Sequence, residues 1–221
     1  MTHINITAAR LVYPDLNSNA YIAIDLSDQN SNLKKVQLSS SESFSNYINN
    51  HLKSHSKKIA YGGYLERRLI YNRSTHFNDK NNKDHRNIHL GIDLWCEANT
   101  TVFAAFDGVV HSFKNNTAFG DYGPTIILEH CIDRITFFSL YGHLSIDSIS
   151  NLKIGTKVKA GEIIGYLGTA VVNGDYPPHL HFQIIKNLQG NFGDYPGVCN
   201  ERELDFYKEN CPDPNLILKL K

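Results

Sequence analysis

The chain has 221 residues, with 22 basic residues (Lys and Arg) balanced by 22 acidic ones (Asp and Glu). This length suits one well-packed core with extensions, and a net charge of zero disfavours nucleic acid or an anionic membrane as a partner. No apolar run approaches the ~20 residues that span a bilayer. Residues 1–10 lack the basic head and apolar core of a signal peptide, so we expect a cytoplasmic location, with export by a signal-independent route as the alternative.

Residues 1–83 are predicted to form a small α/β extension. A strand is expected over residues 21–25. Residues 41–52 carry apolar side chains at helical spacing behind serines that suit an N-cap, so a helix is expected there. The polar residues 78–84 predict a loop, because Asn and Asp prefer turn conformations.

Two motifs bring together residue types that bind metal ions: His89-Leu-Gly-Ile-Asp93 and His179-Leu-His181. On a straight strand, residues i and i+4 lie roughly 13 Å apart, too far to share an ion, so the first motif must bend, and Gly91 offers the backbone freedom. His179 and His181 face the same side of a strand, so one can bind a metal while the other lines the site. A His, an Asp and a His can hold one zinc ion and leave a coordination position open for water, as catalytic zinc sites do.

The segments that follow His89 have a β pattern. Turn signals at Asp107-Gly108, Gly120-Asp-Tyr-Gly123 and Gly161 separate short apolar runs, which predicts an antiparallel, meander-rich β domain. Residues 153–168 are predicted to form a plain β-hairpin.

Five sequence blocks in this order resemble the lysostaphin/LytM-type zinc metalloendopeptidases, which cleave peptide cross-links of bacterial cell walls. They are His89-Leu-Gly-Ile-Asp93, residues 102–110, Tyr141-Gly-His-Leu144, residues 155–165 and Pro178-His-Leu-His-Phe-Gln183. The resemblance covers about residues 84–188, close to half of the chain. A lone His-x-His would be weak evidence, whereas five ordered blocks are strong evidence.

The resemblance implies Zn²⁺ as cofactor and a peptide or peptidoglycan as substrate, hydrolysed at an amide bond through a metal-activated water. It implies the zinc ligands His89, Asp93 and His181, with His143 and His179 as unligated catalytic histidines. The implied fold is mainly β, an antiparallel, split-barrel-like domain over residues 84–188. The chain lacks a His-Glu-x-x-His segment, so the glutamate base found in other zinc peptidases is missing.

Two other functions fit the same motifs: an intracellular zinc hydrolase acting on a soluble peptide or amide, and a catalytically inactive binding module on the same fold. His143 and His179 could also support the ligands rather than transfer protons. The sequence does not separate Gly-Gly bridges from D-Ala-to-diaminopimelate links. The candidates to line the groove are Tyr122, Tyr141 and Tyr176.

The flanking regions carry further predictions. The extension is expected to cover the groove, and residues 189–221 are expected to form a loop-rich tail that packs on the domain. The side chains expected to reach the groove mouth are Asn72, Arg73 or Asn78. The four cysteines lack Cys-x-x-Cys spacing, which disfavours a zinc knuckle. They are free thiols in a reducing compartment, whereas export would allow Cys199 to pair with Cys211.

Overall fold

The computed structural model describes residues 9–77 and 85–220. The helices are α1 (Ser41–Ser54), α2 (Asp147–Ser150), α3 (Leu204–Asn210) and α4 (Asn215–Leu218). The strands are β1 (Tyr21–Ala23), β2 (Ile59–Gly62), β3 (Ile88–His89), β4 (Ile92–Trp95), β5 (Thr101–Phe103), β6 (Gly108–Asn116), β7 (Gly123–Ile132), β8 (Ile135–Gly142), β9 (Lys157–Val158), β10 (Ile163–Tyr166), β11 (His179–Ile185) and β12 (Val198–Cys199).

One large sheet dominates the architecture. Eight strands pair in the order β1-β2-β4-β11-β8-β7-β6-β9, and two small sheets pair β10 with β5 and β12 with β3. Among the described strands, β1 and β2 run parallel and the other pairs are antiparallel. The prediction of a mainly β, antiparallel fold is therefore confirmed. The described strands do not close into a barrel, because β1 and β9 lie at opposite edges of the sheet.

The extension contributes to the same sheet as the following domain. Strand β2 pairs with β4, so Gly62 lies opposite Asp93 and Ala60 lies opposite Trp95. Helix α1 begins after Ser40, whose Oγ accepts a hydrogen bond from the Ser43 amide at 3.2 Å, as an N-cap should. The helix packs the buried ring of Phe44 edge-on against Trp95, with 5.3 Å between ring centroids. The expected strand and helix are both present, whereas the expected loop at residues 78–84 lies outside the described residues.

The predicted hairpin over residues 153–168 is wrong. Val158 of β9 lies opposite Gly108 of β6, and Ile163 of β10 lies opposite Phe103 of β5. The two strands therefore join different sheets instead of each other. Turn signals at both ends predicted a reversal, but the choice of partner depends on strands distant in sequence.

The main core packs against the sheet that carries β4 and β11. It includes the fully buried Leu94, Tyr141 and Phe182, together with Leu218 from α4. The C-terminal segment is thus part of the core. The four cysteines are free thiols, and three of them are buried. None of the described helices has the length and apolar character needed to cross a membrane.

Candidate metal centre and active site

The two metal-binding motifs meet in the middle of the sheet. Strands β3 and β4 are separated by Leu90 and Gly91, so the chain bends between His89 and Asp93 as expected. Strand β11 pairs with β4, so His181 lies directly opposite Asp93. Gly91 is needed for space rather than for an unusual backbone angle, because a Cβ atom there would lie 2.6 Å from Cε1 of His181.

His89, Asp93 and His181 point one donor atom each at a common centre. Oδ1 of Asp93 lies 3.3 Å from Nε2 of His89 and 3.2 Å from Nδ1 of His181. The two imidazole nitrogens are 2.8 Å apart. All three residues are buried, and their donor atoms lie within 4.8 Å of one another. The structure therefore brings together the three residues predicted as ligands.

Hydrogen bonds fix which nitrogen of each histidine faces this centre. Nδ1 of His89 donates to the Gly63 carbonyl at 2.9 Å, so Nε2 keeps its lone pair. Nε2 of His181 donates to Oε1 of Gln183 at 3.0 Å, so Nδ1 keeps its lone pair. The Gln183 amide nitrogen donates to the Pro196 carbonyl at 3.2 Å, which turns its oxygen towards His181.

Two imidazole lone pairs and a carboxylate oxygen thus converge with no proton between them. Such a cluster of acceptors is repulsive unless a cation lies within it. Two neutral imidazoles and one carboxylate are a donor set that suits zinc. The residues present therefore fit the metal ion that the sequence motifs imply.

Electrostatics keep two of the donors, His89 and Asp93, in the required protonation states. Burial, together with the positive charge of Arg68, lowers the pKa of His89 to about 4, so its imidazole is neutral near pH 7. Burial alone would raise the pKa of Asp93, but electrostatic interaction with His89 and Arg68 outweighs it and holds that pKa well below its ordinary value. Arg68 donates from Nη1 to Oδ2 of Asp93, the carboxylate oxygen that faces away from the two histidines.

His143 and His179 lie beside the three donors. Nδ1 of His143 donates to the Asn173 carbonyl at 2.8 Å, and Nδ1 of His179 donates to the Pro177 carbonyl at 2.8 Å. Each residue therefore keeps a basic Nε2, and that of His179 lies 3.8 Å from Oδ1 of Asp93. The two rings are 4.1 Å apart between centroids. Both imidazoles are placed to accept a proton near the metal centre.

Burial sets the basicity of these two histidines. It lowers the pKa of His179 to about 4, partly offset by Asp93. Burial and the neighbouring His179 hold the pKa of His143 well below its ordinary value. Trp95 stacks on the His179 ring with 3.9 Å between centroids and an interplanar angle of 18°, which limits how that ring can turn. Both histidines are neutral before any reaction begins.

A pocket with an empty volume of about 920 Å³ opens beside these residues. Tyr122 and Tyr176 line it as expected. Tyr141 does not: its side chain lies in the core, where the hydroxyl accepts a hydrogen bond from the Ala105 amide at 2.9 Å. Nothing in the sequence around Tyr141 indicates the face to which that ring turns.

Residues 69–77, which we call the wall segment, form one side of the pocket. Ile70, Tyr71 and Phe77 of this segment line the pocket together with His143 and His179. Asn72 is exposed and lines no part of it, and Asn78 lies outside the described residues.

The wall segment is tied to two loops that flank the pocket. Arg73 donates to the Asp175 carbonyl at 2.7 Å and lies over the Tyr176 ring at 4.3 Å from its centroid. Ser74 donates from Oγ to the Phe119 carbonyl. The extension is therefore part of the pocket.

The contributors to the site that were missed in the sequence include Gly63, Arg68 and Gln183. Gln183 had a readable signal, since it follows His181 at spacing i, i+2 on β11 and so shares its face. Gly63 and Arg68 had none, because their contacts depend on the pairing of β2 with β4.

Comparison with known proteins agrees with this geometry. Residues 87–192 match the family model described as Peptidase family M23. The predicted resemblance to the lysostaphin/LytM-type family is confirmed, because lysostaphin of Staphylococcus staphylolyticus is 33% identical to the chain over 104 residues.

Further relatives match the chain over a similar length. Peptidoglycan DD-endopeptidase ShyC of Vibrio cholerae is 35% identical over 100 residues, which are 45% of this chain and 20% of ShyC. Glycyl-glycine endopeptidase ALE-1 of Staphylococcus capitis is 32% identical over 103 residues, which are 47% of this chain and 26% of ALE-1. The chain thus spans about a fifth to a quarter of the length of these curated relatives.

Among solved structures, the catalytic domain of lysostaphin from Staphylococcus simulans is similar to this chain at 26% identity and a TM-score of 0.45. The match covers 74% of this chain and 97% of that domain.

Proposed function

We propose that this protein is a zinc-dependent endopeptidase that hydrolyses amide bonds of peptidoglycan-type peptides. The observation that carries the proposal is the convergence of three proton-free donor atoms beside two neutral histidines inside an M23 domain. The names of ShyC and ALE-1 as peptidoglycan and glycyl-glycine endopeptidases support the substrate class.

His89, Asp93 and His181 would hold the zinc ion, which supplies Lewis acidity and lowers the pKa of a coordinated water towards about 7. One negative charge from Asp93 leaves the centre electrophilic. The described residues near the donors offer Nε2 of His179 as a proton acceptor, held in place by the Pro177 carbonyl and by the Trp95 ring. His179 is therefore the general base in this proposal.

His143 is the candidate proton donor to the leaving amine in this proposal. Its Nε2 carries no proton at first, since burial keeps the pKa of this residue well below its ordinary value. It can therefore donate to a leaving amine only after it has received a proton, and the neighbouring His179 ring lies 4.1 Å away between centroids.

A second candidate is hydrolysis of short soluble peptides. The wall segment favours it, because this segment narrows the approach to His143 and His179 and is fastened by the buried Arg73. An inactive binding module is less well supported, because both candidate proton acceptors accompany the complete donor set. The predicted cytoplasmic location stays a prediction, which cell fractionation tests.

One experiment separates these functions. Zinc content is measured for the parent and for His89→Ala, Asp93→Ala and His181→Ala, and each protein is incubated with intact cell walls and with soluble muropeptides before mass spectrometry. The parent is expected to hold about one zinc ion and to release new amine termini, and each variant to lose the metal. Cleavage of muropeptides alone would favour the second candidate. A fully zinc-loaded parent that cleaves neither would refute both peptidase proposals and leave the binding module.

A further inference from the structure

Residues 63–68 of the extension lie directly behind the metal donors, although they precede the M23 match at residues 87–192. The Gly63 carbonyl accepts the Nδ1 proton of His89, and Arg68 pairs with Asp93. Two of the three donors are therefore held by residues outside the matched domain.

The guanidinium of Arg68 connects two carboxylates. Its Nε donates to Oε2 of Glu66 at 2.6 Å, and its Nη1 donates to Oδ2 of Asp93. The other oxygen of Glu66 accepts a hydrogen bond from the Leu26 amide at 2.8 Å, which anchors the chain of contacts to the backbone of the extension. Arg68 and Asp93 are only 4% and 1% exposed, so water does not compete for these bonds.

The space for this guanidinium exists because residue 63 is a glycine. Gly63 has a φ of +109°, and a Cβ atom there would overlap Nη2 of Arg68 and lie 2.8 Å from Nδ1 of His89. A buried ion pair is a weak source of stability, because both charges must be removed from water. The arrangement is thus poorly explained by folding stability alone.

The contact with Arg68 determines which carboxylate oxygen of Asp93 faces the two histidines. Because Arg68 engages Oδ2, only Oδ1 faces the nitrogens of His89 and His181, at 3.3 and 3.2 Å. A carboxylate released from Arg68 is free to rotate and offer both oxygens to one metal ion. The second oxygen would then occupy the position that water or substrate needs.

We propose that Arg68 is a positioning residue that restricts Asp93 to one metal-binding oxygen and so keeps a coordination position open. Glu66 holds the guanidinium of Arg68 in place by accepting a hydrogen bond from its Nε. The inference rests on the proposed function, since it assumes that the donor set holds a metal ion.

Cobalt substitution tests the proposal without any substrate, because the visible absorption of Co²⁺ weakens as its coordination number rises. The Co²⁺ spectrum, the zinc content and the kcat and KM for a muropeptide are measured for the parent, Arg68→Met and Arg68→Lys. We expect Arg68→Met to bind one metal ion, to lose visible absorption and to lose about 10- to 100-fold in kcat with little change in KM. Arg68→Lys should restore part of the visible absorption and part of the kcat, since the lysine returns a donor to Oδ2 of Asp93.

Arg67→Met is the matched control, because Arg67 is the exposed neighbour that pairs with Glu201 on the surface. Glu66→Gln is a second test, in which the visible absorption and the kcat should fall less than in Arg68→Met. It replaces Arg68→Met if that variant does not fold. A parent-like spectrum and kcat in Arg68→Met, or in Glu66→Gln where that variant stands in, would overturn the inference.

The two proposals fail in different ways. A parent that binds Co²⁺ but cleaves no peptide overturns the proposed function, while the spectrum of Arg68→Met still decides the role of Arg68. A parent that takes up no metal overturns both.

Discussion

The free energy of unfolding of the metal-free protein is expected to fall already at mildly acidic pH. His89 and His179 both have a pKa lowered to about 4 in the folded chain, with burial as the largest cause. In the unfolded chain an imidazole titrates near 6.5. Between these two values the unfolded state binds more protons than the folded state, so stability must fall as the pH decreases through this window.

The size of the effect follows from the shift of His179 alone. A shift from about 6.5 to about 4 corresponds to a loss of about 3 kcal/mol once the pH is below both values. Because protonation of the unfolded imidazole is nearly complete by about pH 5, roughly 2 kcal/mol of this loss should occur between pH 7 and 5. His179 is buried, so solvent screening does not reduce the effect appreciably.

Urea denaturation of the metal-free protein at pH 7, 6 and 5 measures this dependence. The parent is compared with His179→Gln, which removes the titrating group, and with His55→Gln, which removes an exposed imidazole at the end of α1. From pH 7 to 5 the parent and His55→Gln should each lose about 2 kcal/mol more than His179→Gln. Equal losses in the parent and His179→Gln would refute the claim that burial keeps this imidazole neutral.

Three further outcomes are expected. Gln183→Leu should weaken zinc binding about 10- to 100-fold in a chelator competition, since His181 loses the acceptor that fixes its proton; unchanged affinity would make Gln183 a packing residue only. His143→Ala should keep zinc while turnover falls at least about a hundredfold, and parental turnover would show that His143 is structural. Arg73→Ala removes buried anchoring worth about 2 kcal/mol and should raise hydrolysis of intact walls relative to a short peptide; equal changes for both substrates would contradict a restrictive role of the wall segment.

The donor set could be predicted because its signal is local. The spacing of His89 and Asp93 requires a bend, and the i, i+2 spacing of His179 and His181 fixes a common strand face. The structure places all three predicted ligands around one centre. These features depend little on how distant strands pair, so the structure reproduces them.

Arg68 could not be predicted for the opposite reason. It stands beside Arg67 in the sequence, and the two residues have the same chemistry. Pairing of β2 with β4 directs Arg68 to Asp93, whereas Arg67 lies 42% exposed beside Glu201. The hairpin prediction was wrong for the same reason, because β9 pairs with β6 and β10 pairs with β5. Pairing between distant strands is the information that a single sequence carries least clearly.

The order of residues along the chain has a consequence for biosynthesis. Arg68 precedes Asp93 by 25 positions, whereas His181 follows Asp93 by 88 positions. At about 5–20 residues per second, a ribosome needs roughly 4 to 18 s to add the stretch between Asp93 and His181. Throughout that interval Arg68 and Asp93 have both been synthesised, whereas His181 has not. The complete donor set can therefore form only after His181 has been synthesised, whereas both members of the Arg68–Asp93 pair are present well before that.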